Sequence, residues 1–217
     1  MDFQYFLKFI PDLVQAPLSG NLSHEKMMPL ERKELLAKMN LKGNIPREAA
    51  VTMLFYPKNN ETHLVLIVRN SYDGVHSAQI AFPGGKIEAE DADYSATALR
   101  ETEEEIGVSR DKIEIVKAFS SVFIPPSNFM VYPFLGICKE EIDFIPNAIE
   151  VAAVIELPLA VFRNDSIVTV ENLSTSYASF IEVPVFKIDN HIVWGATAMM
   201  LSELRDVLNA ILVDENN

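Results

Sequence analysis

The sequence predicts an α/β protein in which helices flank a β-sheet. Three observations support this: two apolar runs separated by a short polar turn, further strand patterns downstream, and helical spacing of apolar residues near both ends. The chain has 217 residues and 49% hydrophobic content, enough to bury the core of one domain. This mixture suits an α/β/α sandwich with a mixed sheet, although the pattern alone distinguishes only α+β or α/β.

Residues 1–46 are predicted to form an N-terminal helical arm, and residues 47–217 the main domain. Apolar side chains recur at helical spacing ahead of Pro11, at Phe3, Phe6, Leu7 and Ile10. A second helical run extends from Glu31 to Met39. Such an apolar stripe is typical of packing within a core or between subunits, so a homodimer is one expectation.

The middle of the chain has the pattern of β-strands. From Ala50, the segments AVTMLFYP and HLVLIVR predict two buried strands, and the four residues from Lys58 to Glu61 predict a hairpin turn between them. Further strands are predicted at IEIVKAFSSVFI, FMVYPFLGIC, SYASFIEVPVFKI and HIVWG. A short helix is expected around residues 157–162 and a terminal helix at 196–212.

The most informative segment is RETEEEIGV at residues 100–108, which places three carboxylates on one side of a predicted helix. At roughly 100° per residue, Glu101, Glu104 and Glu105 share one face. Like charges at these spacings destabilise a helix by roughly 0.2–0.5 kcal/mol per pair, which indicates a cation between them. Because hard cations prefer oxygen ligands, Mg²⁺ or Mn²⁺ is the expected ion. The face expected to pack on the sheet carries Ser95, Leu99, Thr102 and Ile106.

Glycines bracket this helix. Before it, Pro83, Gly84 and Gly85 are expected to form a turn that lets the backbone approach a ligand closely. After it, Gly107 is expected to end the helix. The predicted local order is therefore strand, glycine turn, acidic helix and glycine stop.

This segment resembles the Nudix box, the motif of a family that hydrolyses diphosphates linked to another group. The resemblance lies in Gly85 followed by Arg-Glu-Thr-Glu-Glu-Glu-Ile-Gly-Val at 100–108. The Gly-to-Arg spacing is one residue longer than usual, and Thr102 replaces an aliphatic residue. Weaker similarity extends over roughly residues 49–212, and the family fold it implies is a Nudix-like α/β/α sandwich with a mixed β-sheet.

The resemblance also implies roles for individual residues. The box carboxylates would hold Mg²⁺ or Mn²⁺, which supplies positive charge to the diphosphate and activates the attacking water; they are Glu101, Glu104 and Glu105. Arg100 would orient the first glutamate. Glu150 is the candidate general base, and Glu156 is its competitor. The residues expected to contact substrate are Arg69, His76, Gly84, Gly85 and Lys86.

The extra residue in the box, the FPGGK opening and the TALRET run resemble one branch of this family, the coenzyme A pyrophosphatases. That branch implies coenzyme A or an acyl derivative as the substrate, cleaved to 4′-phosphopantetheine and 3′,5′-ADP. Ahead of His76, however, this chain has Asp73-Gly74 where the branch has Leu-Arg, and Ala78 where it has Gly. ADP-ribose, NADH and dinucleoside polyphosphates are the alternative substrates.

Composition indicates which kinds of binding partner and which cellular compartment to expect. A net charge of −13 argues against a nucleic-acid partner and makes binding of a diphosphate depend on metal ions and a few local cations. The single cysteine, Cys138, is typical of a reducing compartment. Neither a membrane-spanning apolar run nor the pattern of a secretion signal is present, so a cytoplasmic protein is expected.

The sequence contains none of four common catalytic or nucleotide-binding motifs, namely an HExxH zinc site, a GxSxG elbow, a P-loop and a Rossmann GxGxxG. Two alternatives remain. The acidic run could be a solvated helix face, which the ordered coincidence of glycine, Arg-Glu, Glu-Glu and glycine disfavours. A noncatalytic Nudix-like module that senses a nucleotide is disfavoured by the intact glutamates.

Overall fold

The computed structural model of the protein describes residues 1–38, 45–70, 79–174 and 180–212. Its centre is a mixed eight-stranded sheet. The strands are β1 (Arg47–Lys58), β2 (Glu61–Arg69), β3 (Ile80–Ala81), β4 (Gly84–Lys86), β5 (Ile113–Ala118), β6 (Val122–Ile124), β7 (Phe129–Cys138) and β8 (Val151–Pro158). The order is β3-β2-β1-β7-β5, with β8 also on β2, β4 also on β1 and β6 also on β7. Only the β1–β7 pair is parallel among these, which confirms the predicted mixed sheet.

The helices cover both faces of the sheet. They are α1 (Phe3–Leu7), α2 (Ile10–Gln15), α3 (Asn21–His24), α4 (Leu30–Lys38), α5 (Tyr94–Ile106), α6 (Leu159–Phe162) and α7 (Gly195–Ile211). Within the described ranges, no helix is both long enough and apolar enough to cross a membrane.

Alternate residues along the central strands belong to two hydrophobic cores, one on each face of the sheet. On β1, Met53 and Phe55 belong to the core under α7 and the N-terminal helices, whereas Leu54 and Tyr56 belong to the core under α5. Because successive strand residues point to opposite faces, an almost wholly apolar strand is buried on both sides. The predicted α/β/α sandwich is confirmed.

The predicted hairpin is also confirmed. β1 and β2 pair from Phe55 opposite Leu64 to Lys58 opposite Glu61. The two residues between them, Asn59 and Asn60, have φ of 50° and 63°. Asparagine tolerates this left-handed conformation, and two such residues make the tight turn that matches the strand twist.

The predicted arm packs onto the sheet. Phe3 and Phe6 are buried in the same core as α7, and the Phe6 ring centroid lies 5.1 Å from that of Phe55. Pro11 does not end a helix but lies in the first turn of α2, where a missing N–H is tolerated. The second predicted helix corresponds to α4, although Met39 lies outside the described residues. The boundary at residue 46 and the homodimer stay predictions.

A second, three-stranded antiparallel sheet leads into α7. It consists of β9 (Val168–Leu173), β10 (Ile181–Ile188) and β11 (His191–Val193). β10 and β11 were predicted, but β9 was not. Its sequence VTVENL alternates between exposed and half-buried positions, so it lacks the apolar run that identified β10.

A buried carboxylate holds the N-terminal residues against α7. Glu203 is 1% exposed and accepts hydrogen bonds from the Gly20 N–H at 2.7 Å, the Ser120 N–H at 3.0 Å and the Ser120 hydroxyl at 2.7 Å. His24 Nε2 lies 3.6 Å from the same carboxylate. Burial raises the pKa of Glu203, but the contacts from His24, Ser120 and Gly20 outweigh this and lower it to about 2.

Candidate active site

Helix α5 carries the acidic motif and is fixed at both ends. At its start, the Asp93 carboxylate accepts a hydrogen bond from the Ala96 N–H at 2.8 Å, as an N-cap residue does. At its end, Gly107 adopts φ 73°, the left-handed conformation that favours glycine. The predicted glycine stop is therefore confirmed.

The buried face of α5 is rotated from the predicted one. Thr102 and Ile106 are buried as expected, but Ser95 and Leu99 are only half-buried. The other buried positions are Thr97, Ala98 and Glu105. Thr102, unusual at its place in the motif, donates to the Thr52 hydroxyl of β1 at 2.9 Å. A polar side chain is accepted here because its hydrogen bond is made within the core.

Arg100 links the carboxylates at the start of the motif. Its Nε and Nη2 each donate to Asp91 at 2.9 Å, a two-pronged contact that fixes the guanidinium plane. Its Nη1 donates to Glu101 at 3.0 Å and to Glu104 at 3.1 Å, and Nη2 also donates to the Lys86 carbonyl at 3.1 Å. The hydrogen bonds from Arg100 hold the pKa of Asp91 well below its usual range. Part of the cationic charge expected between the glutamates thus comes from the protein itself.

Glu105 points inward, away from the solvent. Its side chain is 1% exposed, accepts the Gly84 N–H at 2.8 Å and lies 3.3 Å from Arg69 Nη1. Burial raises the pKa of this carboxyl to about 7, although the Gly84 N–H and Arg69 act in the opposite direction. The negative charges of Glu101 and Glu150 add smaller upward effects on this pKa.

The segment predicted as a glycine turn is a short strand. β4 pairs with β1, with Gly84 opposite Val51 and Gly85 opposite Ala50. Gly84 has φ 154°, and a Cβ there would lie 2.3 Å from the Ala50 carbonyl oxygen. A Cβ on Gly85 would lie 2.4 Å from the carboxylate of Glu101. Gly84 thus allows close approach of the β1 backbone, and Gly85 allows close approach of the Glu101 carboxylate. The predicted approach to a ligand stays a prediction.

We expect Gly85→Ala to lower catalysis while leaving the fold intact. The atoms nearest to the new methyl group belong to the Glu101 carboxylate, at the end of a side chain, so this carboxylate should move. Displacing a group that supports a catalytic site reduces activity by about 10–100-fold. Steady-state kinetics and thermal melting of the variant would measure both effects.

Gly84→Ala is the contrasting variant, because its methyl group would meet backbone and should lower the melting temperature. Wild-type kinetics for Gly85→Ala would contradict a role for Glu101 in the site.

Of the two candidate bases, Glu150 lies near the acidic helix. It is exposed, immediately precedes β8, and accepts the Asn70 N–H at its carbonyl at 2.9 Å. Its charge raises the pKa of two of the box glutamates, after the effect of burial. Glu156 instead accepts hydrogen bonds from Tyr56 and Lys58, which hold it elsewhere on the sheet.

A cavity of about 490 Å³ adjoins β4 and the start of α7. It is lined mostly by apolar side chains from β1, β6, β7 and the residues before β4. Its cationic lining residues are Arg32, Arg69 and Lys86, and none of the described lining residues is acidic. In a chain with 31 acidic and 18 basic residues, such a wall favours an anionic ligand.

Four of the five predicted substrate residues line this cavity, namely Arg69, Gly84, Gly85 and Lys86. His76 lies outside the described residues, as do Asp73 and Gly74. The structure thus brings four of these residues together beside the acidic helix.

The carboxylates of α5 suit a divalent cation. Burial raises the pKa of Glu101, with Glu104 and Glu150 adding to the effect and Arg100 opposing it. Among the described residues, Asp91, Glu101, Glu104 and Glu105 contact only two cations between them, Arg69 and Arg100, and the donors are all oxygens, which fits Mg²⁺ or Mn²⁺. In the described part of the chain, no three acidic, His or Cys side chains are already arranged as a metal-binding group. Side-chain adjustment and oxygens from substrate or water would complete the coordination.

Two residues of this region had no role assigned from the sequence. Asp91 fixes Arg100 from nine positions earlier. It falls where the coenzyme A pyrophosphatase branch has an acid, but the sequence gave no sign of this pairing. Arg32, on α4, lines the cavity and donates to the Phe123 carbonyl. The two residues are 91 positions apart in the sequence, so no local pattern links them. No periodic pattern predicts either contact.

The sandwich and the Arg-anchored acidic helix beside a glycine strand define the Nudix class of fold and site. A model of the NUDIX domain matches residues 46–172. The chain belongs to the Nudix hydrolase family, which confirms the predicted family.

Known relatives and a solved structure agree with this family assignment. Nudix hydrolase 15, mitochondrial, of Arabidopsis thaliana is 37% identical over 123 residues, covering 55% of this chain and 43% of that protein. The chain thus spans less than half the length of this relative. An uncharacterised Nudix hydrolase, NudL, of Enterobacter sp. (strain 638) is 32% identical over 135 residues, covering 60% of this chain and 68% of that protein. The Nudix hydrolase RenU of M. smegmatis superposes with a TM-score of 0.52 at 15% identity, covering 76% and 88% of the two chains.

Proposed function

We propose that this protein hydrolyses the diphosphate linkage of a nucleoside diphosphate derivative, most favourably coenzyme A or acyl-coenzyme A. The observation that carries the proposal is the cavity wall beside the acidic helix, whose described lining residues include three cations and no acid. A diphosphate at Gly84 and Gly85 would lie between the cations of that wall and the carboxylates of α5. ADP-ribose, NADH and dinucleoside polyphosphates are the alternative substrates.

Mg²⁺ or Mn²⁺, held by Glu101, Glu104 and Glu105, would supply positive charge to the diphosphate and acidify the attacking water. The protein's own residues position the reactants. Arg100, clamped by Asp91, fixes the direction of the first glutamate, and the glycine strand brings backbone close to the phosphates.

Proton removal is assigned to Glu150. Its side chain is exposed beside the buried carboxylates, so it can accept a proton from water and exchange it with solvent. The neighbouring cations, Arg69 and Lys86, bind the negative charge that develops on the phosphate oxygens. A cytoplasmic location is part of the same proposal, since coenzyme A and nucleotides are intracellular solutes.

A product-resolved hydrolysis screen tests the proposal. Coenzyme A, ADP-ribose, NADH and diadenosine polyphosphates are incubated with the full chain and either Mg²⁺ or Mn²⁺. Release of 4′-phosphopantetheine and 3′,5′-ADP is the expected result. Turnover of another diphosphate would move the specificity to that substrate, and binding without turnover of any would favour a nucleotide-sensing module.

A further inference from the structure

A buried threonine of β1 contacts both parts of the candidate site. Thr52 is fully buried, and its backbone N–H donates to the Pro83 carbonyl at 2.9 Å, immediately before β4. Its hydroxyl donates to the Ala98 carbonyl of α5 at 3.0 Å. One residue therefore holds both the glycine strand β4 and the helix that carries the acidic motif.

Thr102 completes this contact from the helix. It is also fully buried, and its hydroxyl oxygen lies 2.9 Å from that of Thr52 and 2.7 Å from the Ala98 carbonyl oxygen. A hydroxyl donates one proton, and either threonine can donate it to the Ala98 carbonyl. Neither hydroxyl is left without an acceptor when the other is removed, so the pair can be altered without burying an unsatisfied polar group.

The Thr52 side chain is held in one orientation by a glycine of β7. A Cβ on Gly136 would lie 3.0 Å from Thr52 Cγ2, so this methyl group occupies the space above the glycine. Because a β-branched side chain is stiff at χ1, placing the methyl group there also places the hydroxyl, which contacts α5. The hydroxyl is therefore preorganised by the pairing of β1 with β7.

Contact between two hydroxyls lets α5 lie closer to β1 than contact between two methyl groups would. The two oxygens are 2.9 Å apart, whereas carbon atoms in contact are about 3.5–4.0 Å apart. On the same helix, the Glu105 carboxylate accepts the Gly84 N–H at 2.8 Å, and the Glu101 carboxylate lies 2.4 Å from where a Cβ on Gly85 would be. Moving the helix outward by roughly 1 Å would break the first contact and withdraw the second carboxylate from β4.

We propose that Thr52 and Thr102 are positioning residues that set the distance between the acidic helix and the glycine strand, an assignment that rests on the proposed hydrolase function. Through this distance they place Glu101 and Glu105, which would hold Mg²⁺ or Mn²⁺, relative to a diphosphate bound at β4. Both threonines are fully buried and act only through α5 and β4. A displacement of about 1 Å in such a site can lower turnover about 100-fold, even when its cause lies far from the reacting atoms.

The double variant Thr52→Val, Thr102→Val tests this assignment, because it replaces both hydroxyls by methyl groups without changing the shape of either side chain. The Kd for Mn²⁺ alone, measured from the electron paramagnetic resonance signal of the free ion, should rise about 10-fold or more. With the diphosphate substrate identified by the hydrolysis screen, kcat should fall about 10–100-fold while KM stays within a few-fold. The midpoint of urea unfolding should stay close to that of the wild type, since no polar group is left unpaired.

Two further variants are the controls. Thr102→Ser keeps the hydroxyl and should retain most of the wild-type Mn²⁺ affinity and kcat. Thr62→Val makes the same chemical change at another buried threonine, on β2, whose hydroxyl donates to the Met1 carbonyl at 3.2 Å and not to α5. It should bind Mn²⁺ and turn over substrate like the wild type.

Wild-type Mn²⁺ affinity and kcat in the double variant, or equal losses in Thr62→Val, would overturn the positioning role. If the double variant does not fold, Thr102→Val alone, which keeps the hydrogen bond from Thr52 to Ala98, should show smaller losses of the same kind. No loss in that single variant would again overturn the role. Mn²⁺ affinity that depends on the two hydroxyls in a protein that hydrolyses no diphosphate would instead overturn the hydrolase function alone.

Discussion

Glu104→Gln is expected to lower kcat/KM for the diphosphate substrate about 100-fold or more while the protein remains folded. Loss of groups that merely support metal ligands costs about 10–100-fold, so loss of a ligand should cost at least as much. Glu104 is 53% exposed, and its contact with Arg100 is on the surface, where an ion pair contributes about 1 kcal/mol or less to stability. Steady-state kinetics over a range of Mg²⁺ concentrations, with circular dichroism of both proteins, would measure the two effects.

Glu103→Gln is the matched control for this variant. Glu103 lies on the same helix and forms a comparable surface contact, with Arg110 at 2.7 Å, but it does not contact Arg100. Its replacement removes the same charge from the same helix as Glu104→Gln does. Because Glu103 lies away from Arg100 and the other carboxylates, kcat/KM should stay within about twofold of the wild type. Equal activities of the two variants would show that the acidic face has no specific role in turnover.

Local patterns predicted the parts of the site that depend on neighbours in sequence. The acidic face of α5 followed from the spacing of its carboxylates, and its end followed from Gly107, whose left-handed conformation few other residues adopt. The β1–β2 hairpin followed from two apolar runs around Asn59 and Asn60. In each case the physical cause lies within a few residues of its effect.

The parts that depend on distant pairing could not be predicted in the same way. Gly84 and Gly85 signalled a close approach, but only pairing with β1 makes them a strand. Glu105 shares a helix face with Glu101 by spacing, yet the Gly84 N–H that satisfies its buried carboxylate is in place only because β4 pairs with β1. Arg32 carries no local signal, because its position in the cavity depends on how α4 docks on β6.

Glu203→Gln is expected to destabilise the fold at neutral pH by about 2–3 kcal/mol, because it removes the charge whose contacts lower the pKa of this carboxyl to about 2. The variant retains the shape of the side chain but places an amide N–H₂ among the N–H and hydroxyl donors of Gly20 and Ser120. Because this carboxylate connects the N-terminal residues to α7, its loss should also loosen the helix whose first turn lines the cavity.

The stabilising effect of the Glu203 carboxylate should decrease as the pH falls. The folded-state pKa of Glu203 is about 2, below the ordinary value of 4.5, so its stabilising effect is fully present above pH 4.5 and is lost as the pH falls towards 2. Urea unfolding at several pH values between 7 and 2.5 should therefore show a gap between wild type and Glu203→Gln that narrows on acidification. Glu182→Gln, on the exposed side of β10, makes the same chemical change and should unfold like the wild type throughout. A gap that stayed constant with pH would mean that Gln fails for steric reasons, and not because the charge of Glu203 stabilises the fold.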